Sequence, residues 1–418
     1  MHYVIVGGGA AGVAATQTLR RLDQASHITL ISEEDKPGYY RPLITHLIHD
    51  HFPEERFLRD PSLFADLKVE VLSPAKAESV DLERKKVRTS RDHVVPYDKL
   101  LLATGSIPLL PQIKGANNED FHTLRFYQDG VKIAGEAQPG KRALIVGGGR
   151  IGILTALALR EANLEVTVVE MLGHVLPQQL DAAAAAIVSP AIEAKGISLL
   201  MGHQVKEIEH KPSKDKVAIL DDGRELPFDL LVAAVGVGPN LELAQQMGIK
   251  VARGVVVDEF MQTSLPDVFA AGDIVQLVDR ATGQEFVSGT WTNAVDMGNC
   301  AAYNMAGIKR QYAGSFFILN AMEIAGIATV SVGAIQGTEP EYEVHSQRWG
   351  STYHKFVFQG NRLVGMLLVG DVDKAGIYRI LIREGSDISQ VKDKIISKSL
   401  TYAAYQRQPI PETAYYSA

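Results

Sequence analysis

One cysteine in 418 residues, Cys300, leaves nothing from which to build a structural disulfide, a CxxC redox pair or a cysteine-based zinc or iron–sulfur site. Long apolar runs are missing too, and none reaches the length that spans a bilayer. The opening His2-Tyr3-Val4-Ile5-Val6 has neither a basic leader nor a cleavage site, which predicts a cytoplasmic chain without a membrane partner. Positive charge is in deficit. With 42 Lys and Arg against 49 Asp and Glu the net charge is −7, so the average field repels nucleic acid and no such partner is expected. With no metal site expected either, the chemistry must come from a bound cofactor.

What is present is a globular composition, 46% hydrophobic and 22% charged, over a length that calls for two or three domains. Two segments share one grammar: apolar strand, glycine-rich turn, alanine-rich helix, second strand, acid. In the first, Tyr3-Val4-Ile5-Val6 runs into Gly7-Gly8-Gly9-Ala10-Ala11-Gly12, a helix continues to about Leu22, and the strand His27 to Ser32 ends at Glu33. In the second, Ala143-Leu144-Ile145-Val146 runs into Gly147-Gly148-Gly149-Arg150-Ile151-Gly152, a helix continues to about Ala162, and Glu165 to Val169 ends at Glu170. This is an internal duplication of a βαβ unit.

In a dinucleotide site one glycine makes the tight turn, one admits the pyrophosphate to the backbone, and one lets helix and strand pack closely. With 37 glycines in the chain, three at the fingerprint spacing arise by chance roughly 0.3 times, so a lone match decides little. Here the strand, helix and trailing acid come twice, the acids standing 26 and 23 residues after the first glycine. Glu170 bears on the choice of cofactor. A carboxylate there bonds the ribose 2′-hydroxyl of NAD and repels the 2′-phosphate of NADP, which favours NADH.

Between the repeats, Pro37 to Pro53 is rich in Pro, Tyr and His, and Pro108 to Asn118 reads as a crossover linker. The pattern changes again after Pro239-Asn240. From about Phe316 a mixed region, with strands Lys355–Phe358 and Leu363–Val369, leads to a helical end and, from Gln406, an extended tail with Pro409 and Pro411.

Further motifs surround the repeats: Tyr39-Tyr40-Arg41-Pro42, Ala103-Thr104-Gly105, Val235-Gly236-Val237-Gly238-Pro239-Asn240 and Phe269-Ala270-Ala271-Gly272-Asp273. In this order the chain resembles the pyridine nucleotide-disulfide oxidoreductase superfamily over residues 2 to 310. The Ile44-Thr45-His46 segment and the stretch from Lys355 to Leu381-Ile382 resemble its NADH:rubredoxin reductase and nitrite reductase flavin-domain branch. The resemblance implies an α/β fold with two Rossmann-type dinucleotide-binding domains and a small C-terminal α+β domain. The FAD domain, split in sequence, would be 1–112 and 241–315, the NAD domain 113–240, and the third domain 316–418.

By the same resemblance the first fingerprint (Gly7, Gly9, Ala10, Ala11, Gly12) binds FAD and the second (Gly147, Gly149, Arg150, Ile151, Gly152) binds NAD. Glu33 takes the adenosine ribose, Arg41 the pyrophosphate side and Ala77 the adenine. Ala103, Thr104, Gly105, Gly236 and Gly272 belong to the cofactor-contacting motifs, Asp273 bonds the ribitol chain, and Thr290 and Trp291 line the pyrimidine edge of the isoalloxazine. Many relatives carry a lysine near flavin N5 paired with a glutamate after the second fingerprint; the matching positions here are His46 and Leu154. His46 is the catalytic candidate, tuning flavin potential or relaying a proton, or else an ordinary hydrogen-bonded residue. Cys300 sits in a helix after Trp291 and reads as buried packing. The implied activity is FAD-dependent NADH oxidoreduction with electrons passed to a small rubredoxin- or ferredoxin-like iron–sulfur carrier, by a monomer or homodimer. Two alternatives stay open: a flavin subunit exchanging electrons between NAD and a larger iron–sulfur enzyme, and an NADH-sensing interaction protein without turnover.

Overall fold

The computed structural model describes residues 1–49, 62–211, 216–279, 282–314, 319–401 and 403. Two compact units emerge. One comprises Met1–Gly173, Lys195–Val278 and Gln284–Ser315; the other comprises His174–Ala194, Asp279–Gly283 and Phe316–Ala418.

In the first unit the chain forms β1 (His2–Val6), α1 (Ala10–Leu22), β2 (His27–Ile31), β3 (Glu70–Leu72) and β4 (Lys99–Leu102). It continues through β5 (Arg142–Val146), α2 (Arg150–Glu161), β6 (Glu165–Glu170), β7 (Ile197–Met201) and β8 (Leu230–Ala233), and closes with β9 (Val268–Ala270) and α3 (Trp291–Met305). The first sheet has the order β9-β4-β1-β2-β3 and the second β7-β6-β5-β8, every pair parallel. Parallel strands covered on both faces need unbroken apolar runs. Val4, Ile5, Leu100, Leu101 and Leu102 supply them, each fully buried. Although β9 comes late in the chain, it pairs with β4, so the first sheet takes its edge strand from beyond the segment that forms the second.

Helix α1 is fixed at its basic end by Arg20, whose guanidinium donates to the carbonyls of Leu67, Asp23, Ser26 and Lys68. A cation there also opposes the negative end of the helix dipole. Its other end packs on α3, where a Cβ added to Gly298 would lie 2.2 Å from the Ala11 carbonyl oxygen. Between the sheets, Ser106–Pro108 pairs antiparallel with Val237–Pro239.

The second unit is built on a five-stranded antiparallel sheet of β10 (Leu319–Ile324), β11 (Ile327–Gly333), β12 (Tyr342–Trp349), β13 (Thr352–Gln359) and β14 (Arg362–Val369), in the order β10-β11-β14-β13-β12. Phe356, Phe358, Leu363, Met366 and Leu368 bury their side chains with Tyr378, Leu381 and Ile382 of α4 (Ala375–Glu384). The helix Ala182–Ala194 belongs to this unit. Asp181, just before it, accepts the Ala184 N–H at 2.9 Å, the Tyr353 hydroxyl at 2.9 Å and Lys355 Nζ at 3.0 Å. Lys355 is 7% exposed, so removal of Asp181 leaves a buried, uncompensated cation.

The expected architecture of two Rossmann-type domains and a small C-terminal α+β domain is borne out. Pro53 and the tail from Gln406 lie outside the described residues. Among the described residues, no helix is long and apolar enough to cross a membrane.

Candidate functional site

Both glycine turns are built alike. Gly7 follows β1 with φ +118° and Gly147 follows β5 with φ +112°, left-handed values that a side chain resists. A Cβ on Gly7 would lie 2.1 Å from the Ala103 oxygen, and one on Gly147 2.5 Å from the Ala234 oxygen. Gly12 and Gly152 are closed in the same way, each with its would-be Cβ 1.9 Å from the oxygen of the turn glycine. Gly9 and Gly149 differ from these four. A Cβ on either meets nothing within 4 Å, so the backbone stands open where the helix begins.

The first intrahelical bonds run from Val13 to Gly9 and from Ile153 to Gly149. The N–H groups of Ala10, Ala11 and Gly12, and those of Arg150, Ile151 and Gly152, therefore point out of the helix ends toward any anion placed there. An open glycine in front of such donors fits a dinucleotide pyrophosphate in both turns.

The strand ends diverge. Gly7 N–H bonds Ile31 and Gly147 N–H bonds Val169, which makes Ser32 the positional equivalent of Glu170 and puts Glu33 one residue beyond. Glu170 is 9% exposed; one carboxylate oxygen accepts the Gly148 N–H at 2.6 Å and the other the Leu172 N–H at 2.8 Å. Glu33 is exposed. Its charge acts on Lys76, the residue before buried Ala77, whose pKa is raised chiefly by the bond to Glu242.

Around the first turn, Thr104 Oγ1 donates to the Asn240 carbonyl at 3.0 Å and Asn240 N–H to the Gly105 carbonyl at 2.9 Å, closing the two crossovers on each other. Gly236 has φ +118°, and its carbonyl accepts the Leu109 N–H at 3.0 Å. Gly272 has φ +85°, with its would-be Cβ 3.1 Å from Ala11 Cβ, which sets Asp273 beside α1. Asp273 Oδ2 accepts the Ser106 hydroxyl at 3.2 Å and Arg125 Nη2 at 3.0 Å. Thr290 caps α3, and Trp291 begins it with its ring 6.0 Å from that of Tyr40.

Arg41 donates to Glu34 at 2.5 Å and to the Arg125 carbonyl, and lies over the Tyr39 ring. Glu34 and Arg125 escaped the sequence reading. Glu34 also accepts the Tyr39 hydroxyl at 2.7 Å, so it anchors the whole Tyr39–Arg41 segment. Arg125 joins Asp273 to that segment, and burial, then Arg41, pulls its pKa down while Asp273 opposes them. Glu34 stands next to the acid already singled out. Arg125 carries no local signal, since its partner is 148 residues away.

His46 sits in the 3-10 segment Arg41–Leu47, its ring 5.5 Å from that of His49. Burial, then His49, lowers its pKa, and Glu161 opposes the shift. Glu161 ends α2, whereas the glycine turn begins it, so these charged neighbours of His46 do not belong to the turn. Cys300 is buried, burial pushes its thiol up to about 11, and Sγ donates to the Arg310 carbonyl at 3.2 Å. No thiolate nucleophile arises there.

A family model described as pyridine nucleotide-disulphide oxidoreductase matches residues 1–298, and one described as rubredoxin NAD+ reductase C-terminal domain matches residues 319–386. Nitrite reductase [NAD(P)H] of Bacillus subtilis is 29% identical over 408 residues, covering 96% of this chain and 49% of that protein. The chain thus spans about half the length of the first curated relatives it matches. The NADH-dependent phenylglyoxylate dehydrogenase subunit epsilon of Aromatoleum evansii is 29% identical and is covered along 95% of both chains. Among solved structures, an NAD-dependent persulfide reductase from A. fulgidus superposes with a TM-score of 0.85 at 26% identity, over 94% of this chain and 79% of that one. The expected superfamily and its narrower branch are both borne out.

Proposed function

The chain belongs to the pyridine nucleotide-disulphide oxidoreductase family, and from that premise we propose that it is a cytoplasmic FAD-dependent NADH oxidoreductase passing electrons to a small rubredoxin- or ferredoxin-like iron–sulfur carrier. The observation that carries this reading is the pair of open glycines, Gly9 and Gly149, each in front of outward-pointing helix donors within one compact unit. Residues 1–112 and 241–315 hold FAD and residues 113–240 hold NADH. When bound, FAD would supply the redox chemistry, by which a hydride is accepted from NADH and electrons are released singly.

The chain's own residues bind and orient. The N–H groups of Ala10, Ala11 and Gly12 hold the FAD pyrophosphate, while Glu33 and the Ala77 backbone serve its adenosine end. Asp273, fixed by Arg125 and Ser106, accepts a ribitol hydroxyl. Arg41, held by Glu34, closes the pyrophosphate side. Thr290 and Trp291 border the ring. Ala103, Thr104, Gly105 and Gly272 give the flavin close backbone passage, the N–H groups of Arg150, Ile151 and Gly152 bind the NADH pyrophosphate, and Gly236, which follows the Ala234–Val235 backbone packed on Gly147, borders the same nucleotide. Glu170 selects the unphosphorylated ribose, and His46 serves as an ordinary hydrogen-bonded residue rather than a proton relay.

Reduction of the purified protein with NADH and, separately, NADPH under anaerobic conditions, followed by reoxidation with rubredoxin and with ferredoxin, tests this reading. Rapid loss of flavin absorbance with NADH and rapid reoxidation by one carrier are expected. Failure of both carriers to reoxidise it removes the carrier assignment. A second reading is favoured by the end-to-end match to a dehydrogenase subunit: a flavin subunit exchanging electrons between NAD and a larger iron–sulfur enzyme. Stable co-purification with an iron–sulfur partner selects it. The protein acts as a monomer or homodimer, without nucleic-acid or membrane partners.

A further inference from the structure

Arg150 is the first residue of α2, directly after open Gly149, so its backbone belongs to the second turn. Its side chain does not stay there. Nη2 donates to the carbonyl of Gly289 at 3.3 Å, the residue before Thr290 and Trp291. Burial lowers the pKa of the guanidinium, and the charge acting against that shift is Asp273. Asp273 lies on the first nucleotide site, gripped by Arg125 and Ser106. An arginine stays charged in any protein environment, and a desolvated cation is costly unless matched by negative charge. One full positive charge from the second site is thus held among residues of the first. At the equivalent position the first turn has Ala10, which brings no charge.

We propose that Arg150 is the fixed cation at the junction of the two nucleotide sites and that its charge favours the reduced flavin over the oxidised one. The inference rests on the reading above, in which flavin and nicotinamide meet there. Transfer of a hydride from NADH moves two electrons and one proton together. The donor becomes the cationic nicotinamide, and the flavin gains one negative charge. A nearby guanidinium stabilises that added charge.

The test is the flavin midpoint potential of the FAD-loaded protein, measured anaerobically against a reference dye for wild type, Arg150→Met, Arg150→Gln and Arg150→Lys. At a fixed potential the ratio of reduced to oxidised flavin is expected to fall about tenfold in Arg150→Met, equivalent to about 30 mV for a two-electron couple. Arg150→Gln falls alike, and Arg150→Lys recovers the wild-type ratio to within about threefold. A fall of threefold or more in the neutral variants, reversed by lysine, supports the proposal. A smaller fall, or an equal fall in the lysine variant, overturns it. If Arg150→Met does not retain flavin, Arg150→Gln serves as the neutral member. The two readings fail separately, because wild-type protein without flavin, or with flavin that NADH leaves oxidised, refutes the proposed function before any potential is compared.

Discussion

The two glycine turns share a backbone and differ in what stands around it. The first helix opens on Ala10 and Ala11, with α3 so close that Gly298 has no room for a Cβ. Its strand is followed by Ser32, whose hydroxyl donates to the Glu34 carbonyl at 3.0 Å. The second helix opens on Arg150, and its strand ends in Glu170 with both oxygens bonded to backbone N–H groups. A neutral turn walled by a second helix suits a nucleotide that stays. A turn flanked by a cation and an acid suits one that is recognised and released. Side chains at a few positions specialise one duplicated scaffold.

The sharpest way to break that contrast is to close each turn in its own chain. Gly12→Val collides with the Gly7 carbonyl and is expected to lower flavin content to about a tenth of wild type or less, read from flavin absorbance per folded protein. Gly152→Val is expected to keep its flavin while anaerobic reduction by NADH slows about a hundredfold or more. The reverse pattern exchanges the two nucleotides between the sites. Gly298→Ala pushes α3 off α1, with an expected loss of roughly 1–3 kcal/mol in chemical denaturation and a weaker hold on flavin.

Glu170→Gln keeps the shape and removes the charge that repels a 2′-phosphate. The preference for NADH over NADPH, measured as kcat/KM, is expected to shrink about tenfold, or ~1.4 kcal/mol. The smallest effect belongs to His46, whose charged neighbours His49 and Glu161 lie away from the turn. His46→Ala is expected to change hydride transfer by less than about threefold. The folded pKa of His46 is lowered, so from about pH 8 to 9 it stays neutral in both folded and unfolded chains and contributes no pH dependence. As pH falls below about 6.5 the unfolded chain takes the proton first and stability is lost until the lower folded pKa is reached. Urea midpoints of His46→Ala are expected to lack that part of the acid loss.

Spacing made the duplicated units legible, because a strand, a turn glycine and a helix must follow one another locally; α1 and α2 end at Leu22 and Glu161, close to where the pattern stops. Asp273 was legible through the family motif Phe269-Ala270-Ala271-Gly272-Asp273. Arg125 was not, since its meaning comes from a carboxylate far along the chain. The placement of Ala182–Ala194 with the C-terminal sheet was also invisible: it depends on Asp181 meeting Lys355, and neither residue has a periodic signature. Glu33 and Glu170 look alike in sequence, and only the bonds of Gly7 and Gly147 reveal that they occupy different positions.

The most direct measurement is a stoichiometric anaerobic titration of the purified protein with NADH, following flavin absorbance. The account predicts one FAD per chain, bleached fully by about one equivalent of NADH. Protein that neither carries nor takes up FAD, or a flavin that stays yellow through excess NADH, contradicts it.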